Sequence, residues 1–256
     1  MPATIPYRRE GFKTVTPFIF VRQPDKFLDF LEAAFGAQVT HRGPAPSGYH
    51  GEVRVGQSML MVGGGEMAKG REMLASLHYF VDDVDAVYRQ AIAAGATVMG
   101  AGGEPRDQPY GERSAFVVDP FGNQWFPAKQ LQPDGGGITA TSGEVRPYLH
   151  PESARALIAF LEKAFDAEVL AVYEHEGRVM HAAVKLGDSV VEMGEGASFA
   201  PQAISLYVED PDEMYGRALA AGATSVWEPN DQPYGERTAG VRDLFGNQWY
   251  PGRRLR

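Results

Sequence analysis

Two histidines, His50 and His181, recur at one register of a repeating sequence, and Glu52 follows His50 by two residues. On a strand, that spacing puts imidazole and carboxylate on one face. An imidazole titrating near neutrality can act there as a general base or orient a ligand. It can equally be a half-buried structural group bonded to a backbone carbonyl. Arg113 and Arg237 end two identical segments, Asp107-Gln108-Pro109-Tyr110-Gly111-Glu112-Arg113 and Asp231-Gln232-Pro233-Tyr234-Gly235-Glu236-Arg237. A guanidinium fork can clamp an anionic substrate through two parallel hydrogen bonds. An arginine this near Asp and Glu also pairs with one of them and pins its own loop. Trp125-Phe126 and Trp249-Tyr250 close two further matching segments, and an aromatic wall suits planar organic ligands.

Other chemistries are absent. With no cysteine in the chain, thiol catalysis, disulfides and thiolate-bound metals are excluded. No Gly-x-Ser-x-Gly nucleophile elbow is present. Gly63-Gly64-Gly65 and Lys69 miss the phosphate-loop spacing and read as a loop, and Glu174-His175-Glu176 reads as a solvated turn at a strand end.

The elements that must position these groups come from a duplication. Besides the seven-residue identity, Phe121-Gly122-Asn123-Gln124-Trp125 returns as Phe245-Gly246-Asn247-Gln248-Trp249, and Ala93-Ala94-Gly95-Ala96-Thr97 as Ala220-Ala221-Gly222-Ala223-Thr224. The stretch from Gln130 to Glu144, rich in Gly, Pro, Ser and Thr, has linker composition, which places domains at residues 10–130 and 144–256 with a linker at 131–143. Each copy divides again. Thr16 to Arg22 is a β-prone run, and Asp25 is placed to N-cap an amphipathic helix that Gly36 ends. Strands follow at Gln38–Arg42, His50–Val55 and Ser58–Val62. The second half of the copy repeats the order, with a strand at Leu77–Val81, a helix at Val84–Ala94 and strands at Thr97–Gly100, Ser114–Val118 and Gln124–Pro127. The expectation is an α+β fold of two tandem domains, each of two βαβββ modules, with a curved mixed sheet around a concave pocket and the helices outside.

Asp119-Pro120-Phe121-Gly122-Asn123-Gln124-Trp125 and its second copy from Asp243 to Trp249, supported by the Tyr49–Gly56 and Tyr79–Asp85 segments, resemble the vicinal-oxygen-chelate superfamily (glyoxalase, bleomycin resistance, dioxygenase) and, within it, the PhnB-like branch. The Asp-Pro-Phe-Gly-Asn stretch itself reads as a tight structural turn. The resemblance implies a metal site with ligands on the first and last strands of each module. Carried over by register, those positions are Thr16, Met61, His78 and Phe126 in the first copy, and Arg146, Glu192, Ser205 and Tyr250 in the second. Only His78 and Glu192 suit a divalent ion, and Arg146 would repel one. If the second and third modules pair, Glu192 and His78 meet with Arg146 and Phe126, which is still short of a facial triad.

A formal charge of -9 opposes nucleic-acid or polybasic membrane contact. No apolar run is long enough for a membrane span, and Met1 to Lys13 lacks a signal-peptide core. The expectation is a cytoplasmic monomer whose copies pair within the chain. It would sequester a small organic ligand, aromatic or cationic, without a metal cofactor, using His50, His78, Arg113, Trp125, Phe126, Arg146, His181, Glu192, Arg237, Trp249 and Tyr250. The rival expectations are a metal-dependent lyase, isomerase or dioxygenase, and a metal-free enzyme with His50 or His181 as base.

Overall fold

The computed structural model describes residues 6–45, 48–65, 68–131, 138–196 and 200–255. The linker residues 132–137 fall outside them. The chain resolves into two compact units: a first unit, Pro17–Tyr148, and a second unit made of Met1–Thr16 with Leu149–Arg256.

In the first unit, β1 (Val15–Val21) leads into α1 (Pro24–Phe35), followed by β2 (Gln38–Ala45), β3 (Gly48–Val55) and β4 (Ser58–Gly64). β1 and β4 run parallel with Phe18 beside Met61, while β4–β3 and β3–β2 are antiparallel. This is the expected βαβββ module. Its triglycine belongs partly to β4 rather than to a loop, since Gly63 and Gly64 end that strand. A Cβ on Gly64 would lie 1.9 Å from the Val21 carbonyl oxygen, so only glycine lets β4 reach β1 there.

The next module is β5 (Ser76–Phe80), α2 (Val84–Ala93), β6 (Thr97–Val98), β7 (Arg106–Gln108), β8 (Glu112–Ser114), β9 (Val117–Val118) and β10 (Gln124–Gln130). The expected strand Ser114–Val118 is broken here. Ala115 and Phe116 turn their N–H groups to Pro127 and Gly103 carbonyls at 3.0 and 2.8 Å, which separates β8 from β9. β11 (Val145–Leu149) then pairs antiparallel with β5, setting Arg146 opposite His78.

The second unit holds α3 (Ala154–Phe165), β12 (Glu168–His175), β13 (Arg178–Leu186) and β14 (Ser189–Met193), then β15 (Ala203–Tyr207), α4 (Pro211–Ala220), β16 (Thr224–Asp231), β17 (Glu236–Arg242) and β18 (Gln248–Arg254). β15 and β18 are parallel with Ser205 beside Tyr250, and β16 and β17 stay continuous where β6 to β9 are fragmented. His175 ends β12, and Glu176 turns at φ 50° in the solvated connection expected there.

Helix ends follow local chemistry, with one departure. Asp83, Ser153 and Asp210 cap α2, α3 and α4 through side-chain oxygens. Asp25, however, lies inside the first turn of α1, whose cap is Gln23 with no side-chain bond. Pro24 accounts for this, because a proline is pre-organised for the first helical position. Asp25 accepts the Tyr49 hydroxyl at 2.6 Å instead. Gly36 closes α1 in the left-handed conformation. α3 ends on Asp166, also left-handed, whose carboxylate is gripped by Arg217.

The cores lie between helices and sheet. In the first unit Phe27, Leu28, Leu31 and Phe35 of α1 bury against Val53, Leu60, Leu77 and Trp125. In the second, Leu157, Leu161 and Phe165 of α3 bury against Val184, Val191 and Trp249. Each fully buried side chain of this size contributes roughly 1.5–3 kcal/mol, enough for the helices to fix which sheet face points away from them. Among the described residues no helix is long and apolar enough to cross a membrane.

Candidate functional site

The inward orientation of the last strands is set by one buried carboxylate per copy. Asp119 accepts the Phe121 and Asn123 N–H groups at 2.9 Å each, the Asn123 amide at 2.9 Å and the Trp125 indole at 3.0 Å. Asn123 in turn accepts the Ala75 N–H at 2.9 Å, tying the turn to the start of β5. Asp243, Asn247 and Trp249 repeat the arrangement, with the Gln202 N–H as the last donor. Burial pushes both Asp carboxyls up, and the hydrogen bonds they accept pull them down. The Asp-Pro-Phe-Gly-Asn turn is therefore a structural lock. It also corrects an expectation: Trp125 and Trp249 are fully buried among the helix-facing side chains and do not line the inner face. Strand alternation then turns Phe126 and Tyr250 inward.

On the inner face of the first unit, side chains from four neighbouring strands, β11, β5, β10 and β8, converge. His78 on β5 is 8% exposed, with Nε2 3.4 Å from Glu112 Oε1 on β8. Its ring packs on Phe80 at 4.2 Å between centres. Phe126 meets Phe116 edge-on at 5.3 Å and Tyr148 at 5.8 Å. Arg146 is 1% exposed. Its Nη2 donates to Glu144 at 3.0 Å and to the Thr139 carbonyl at 2.8 Å, and its guanidinium carbon lies 4.8 Å from the Phe80 ring centre. A buried cation, a His–carboxylate pair and four aromatic rings thus cluster on the sheet side opposite the helix-packed core.

Two further histidines face carboxylates. His50 Nε2 lies 3.1 Å from Glu52 Oε1, with Phe18 edge-on to the ring and His41 5.8 Å away between centres. The spacing of two residues placed the pair correctly, although the partner is a carboxylate rather than a backbone carbonyl. In the second unit His181 Nε2 lies 3.7 Å from Glu192 Oε2, and Glu192 is 2% exposed. Tyr250 is buried and stacks on Trp227 at 4.9 Å; burial raises its hydroxyl above the ordinary range.

Arg113 and Arg237 are committed to their own loops. Arg113 grips Asp85 through Nε (2.6 Å) and Nη2 (2.8 Å) and Asp107 through Nη1 (2.7 Å). Arg237 does the same with Asp212 and Asp231. These hydrogen bonds hold the Asp85 and Asp212 carboxyls below their usual value. The clamps therefore persist at neutral pH and are lost only in acid, as the aspartates protonate. With both edges of each fork bonded, neither arginine is left pointing at a ligand, as the pinning reading anticipated.

The first- and last-strand positions can now be tested as metal ligands. In register they are Phe18 beside Met61, His78 beside Phe126, and Ser205 beside Tyr250. The structure puts Phe18, not Thr16, in register with Met61. No pair offers two good donors, and Arg146 sits directly opposite His78. Among the described residues no group of three or more His, Asp or Glu side chains is arranged to hold a metal ion. A tightly held divalent ion needs more donors than these and no adjoining buried cation. The residues do not fit the group that the resemblance implies.

Comparison with known proteins agrees with this architecture. The family pattern of the Glyoxalase/Bleomycin resistance protein/Dioxygenase superfamily matches residues 12–126 and 151–250. The chain belongs to that superfamily. An uncharacterized protein of Mycobacterium tuberculosis (strain CDC 1551 / Oshkosh) is 38% identical over 144 residues, covering 50% of this chain and 84% of its own. Glyoxalase I from Zea mays superposes with a TM-score of 0.69 at 15% identity, covering 93% of this chain and 92% of that one. A putative dioxygenase from Bacillus subtilis subsp. subtilis str. 168 does so at 0.60 and 13% identity, covering 93% and 83%. At such identities the likeness shows the fold, two tandem glyoxalase-like domains, and not the reaction.

Proposed function

We propose that this protein binds a small organic molecule with a planar aromatic face on the inner surface around His78, without a metal. One observation carries the reading: Arg146 and Phe126 flank His78 where a metalloenzyme of this fold would gather its ligands. The rings of Phe80, Phe116, Phe126 and Tyr148 offer edges and faces for stacking, and His78 with Glu112 offers a hydrogen-bonding end that would fix orientation. The same turn segments support reading the chain as a PhnB-like member of the superfamily.

A thermal-shift screen of planar aromatic compounds tests this. A true ligand at 100 times its dissociation constant adds about 2.7 kcal/mol of stability, and Phe126→Ala should abolish the response. Elemental analysis of protein purified without chelator is the counter-test. One tight divalent ion per chain, lost in His78→Ala or Glu192→Ala, would overturn the proposal in favour of a metal-dependent lyase, isomerase or dioxygenase.

The His50–Glu52 pair supports a second reading. An imidazole at 3.1 Å from a carboxylate is oriented as a general base needs to be. Turnover of a screened ligand that disappears in His50→Gln would favour a metal-free enzyme over a binder.

A further inference from the structure

Both copies carry a glutamate after the glycine of the repeated hairpin, Glu112 and Glu236, and the two are used differently. Glu236 is 7% exposed. Its Oε1 accepts from Arg9 Nε at 2.6 Å and from the Tyr207 hydroxyl at 2.9 Å. Arg9 reaches it on an N-terminal arm fastened along the second unit. The Tyr7 carbonyl accepts the Arg254 N–H at 2.8 Å, and the Thr14 carbonyl accepts the Tyr207 N–H at 2.9 Å. Arg8 pairs with Asp188 at 2.5 Å, and Asp188 also accepts the Thr14 N–H at 2.8 Å. Phe12, 5% exposed, sets its ring edge-on to Tyr207 at 5.8 Å. The arm thus delivers a guanidinium and an aromatic ring to a buried acid.

The first unit provides an internal control. Its residues before β11 dock by matching bonds: the Phe80 N–H meets the Glu144 carbonyl at 2.9 Å as Tyr207 meets Thr14, and the Leu131 N–H meets the Gly111 carbonyl at 3.0 Å as Leu255 meets Gly235. Counting back from that anchor, Thr139 stands at the place of Arg9 and Ser142 at the place of Phe12. Phe80 replaces Tyr207, so the phenolic donor is missing too, and Glu112 faces His78 instead. The acid was copied in both halves, whereas the arginine and the phenol meet it in one.

Burying a carboxylate is costly unless a charge and hydrogen bonds compensate it. Glu236 obtains its charge partner from a side chain on an irregular arm, with Arg9 still 28% exposed, while the sheet that holds it supplies the Tyr207 hydroxyl. We propose that Glu236 and Tyr207 form a cation-binding site for a guanidinium or primary ammonium group on a small organic molecule, and that Arg9 occupies it as a built-in ligand. A tethered side chain competes at an effective concentration in the millimolar range. The intact protein therefore binds such cations weakly, and lifting the arm opens the site. It draws on none of the residues around His78, so either proposal can fail without the other.

Chemical rescue tests it. Arg9→Ala should melt below the parent protein, and N-ethylguanidinium at millimolar concentration should raise its midpoint by about 2–4 °C. The neutral isostere N-ethylurea should have no effect, nor should N-ethylguanidinium on the parent protein or on Arg9→Ala/Glu236→Gln. Equal responses in parent and variant, an equal response in the double variant, or no response would each overturn the site. Should Arg9→Ala fail to fold, Arg9→Gln, which keeps the aliphatic stem and removes the guanidinium, is scored by the same outcomes.

Discussion

At the scale of single residues, the informative side chains are buried ionisable groups, and their partners separate scaffold from site. Asp119 and Asp243 spend their oxygens on turn and indole donors and belong to the scaffold. His150, which follows β11, shows how burial alone sets a charge state. Loss of solvent lowers its pKa from 6.5 to about 4. Between those values the unfolded chain binds a proton that the folded chain does not. Stability from this group is therefore complete above pH 6.5 and declines as pH falls toward 4. In urea melts at stepped pH, His150→Gln should flatten that decline, and an unchanged slope would refute the assignment. His50 with Glu52 could be read from spacing, because alternation on a strand is local. His150 could not: nothing near it in sequence announces the burial that depresses it. The facing of Trp125 was misread because alternation says only that Trp125 and Phe126 point oppositely. Which of them meets the helices is decided by the indole bond to Asp119, six residues away.

At the scale of elements, the modules were legible from turn residues and periodicity, and the register was not. A strand can slide by two residues and keep its hydrophobic face, which is how Thr16 came to stand in for Phe18 beside Met61. The fragmentation of β6 to β9 also escaped the pattern, since it depends on Gly103 accepting a hydrogen bond from Phe116. Small residues on the strands make room for rings. A Cβ on Gly240 of β17 would lie 2.6 Å from Trp227 Cε3, and Trp227 stacks on Tyr250 at 4.9 Å. Gly240→Ala should break that stack, costing about 1–3 kcal/mol as overpacking does. Urea denaturation with tryptophan fluorescence would read both the stability loss and the altered environment of Trp227. An unperturbed spectrum would show that the ring yields freely.

At the scale of the whole molecule, the units do not follow the repeat. The second unit is discontinuous, closed by residues from the other end of the chain. Deleting residues 1–14 removes the Phe12 burial, the Arg9 partner of Glu236 and the Arg8 and Thr14 partners of Asp188. Loss of a buried phenylalanine alone costs about 3–5 kcal/mol. The expected outcome is faster hydrogen exchange in α3 with α1 unchanged; equal loss in both helices would mean that the arm supports the entire chain.

That discontinuity also sets a timetable during synthesis. Arg8 and Asp188 are 180 residues apart, and at 5–20 residues per second the arm emerges roughly 10–40 s before its counterpart is translated. Every residue of the first unit is made in that interval. For that time the segment carrying Arg8, Arg9 and Phe12 waits without Asp188 and Glu236, a window in which chaperones or proteases can meet it before its own glutamate does.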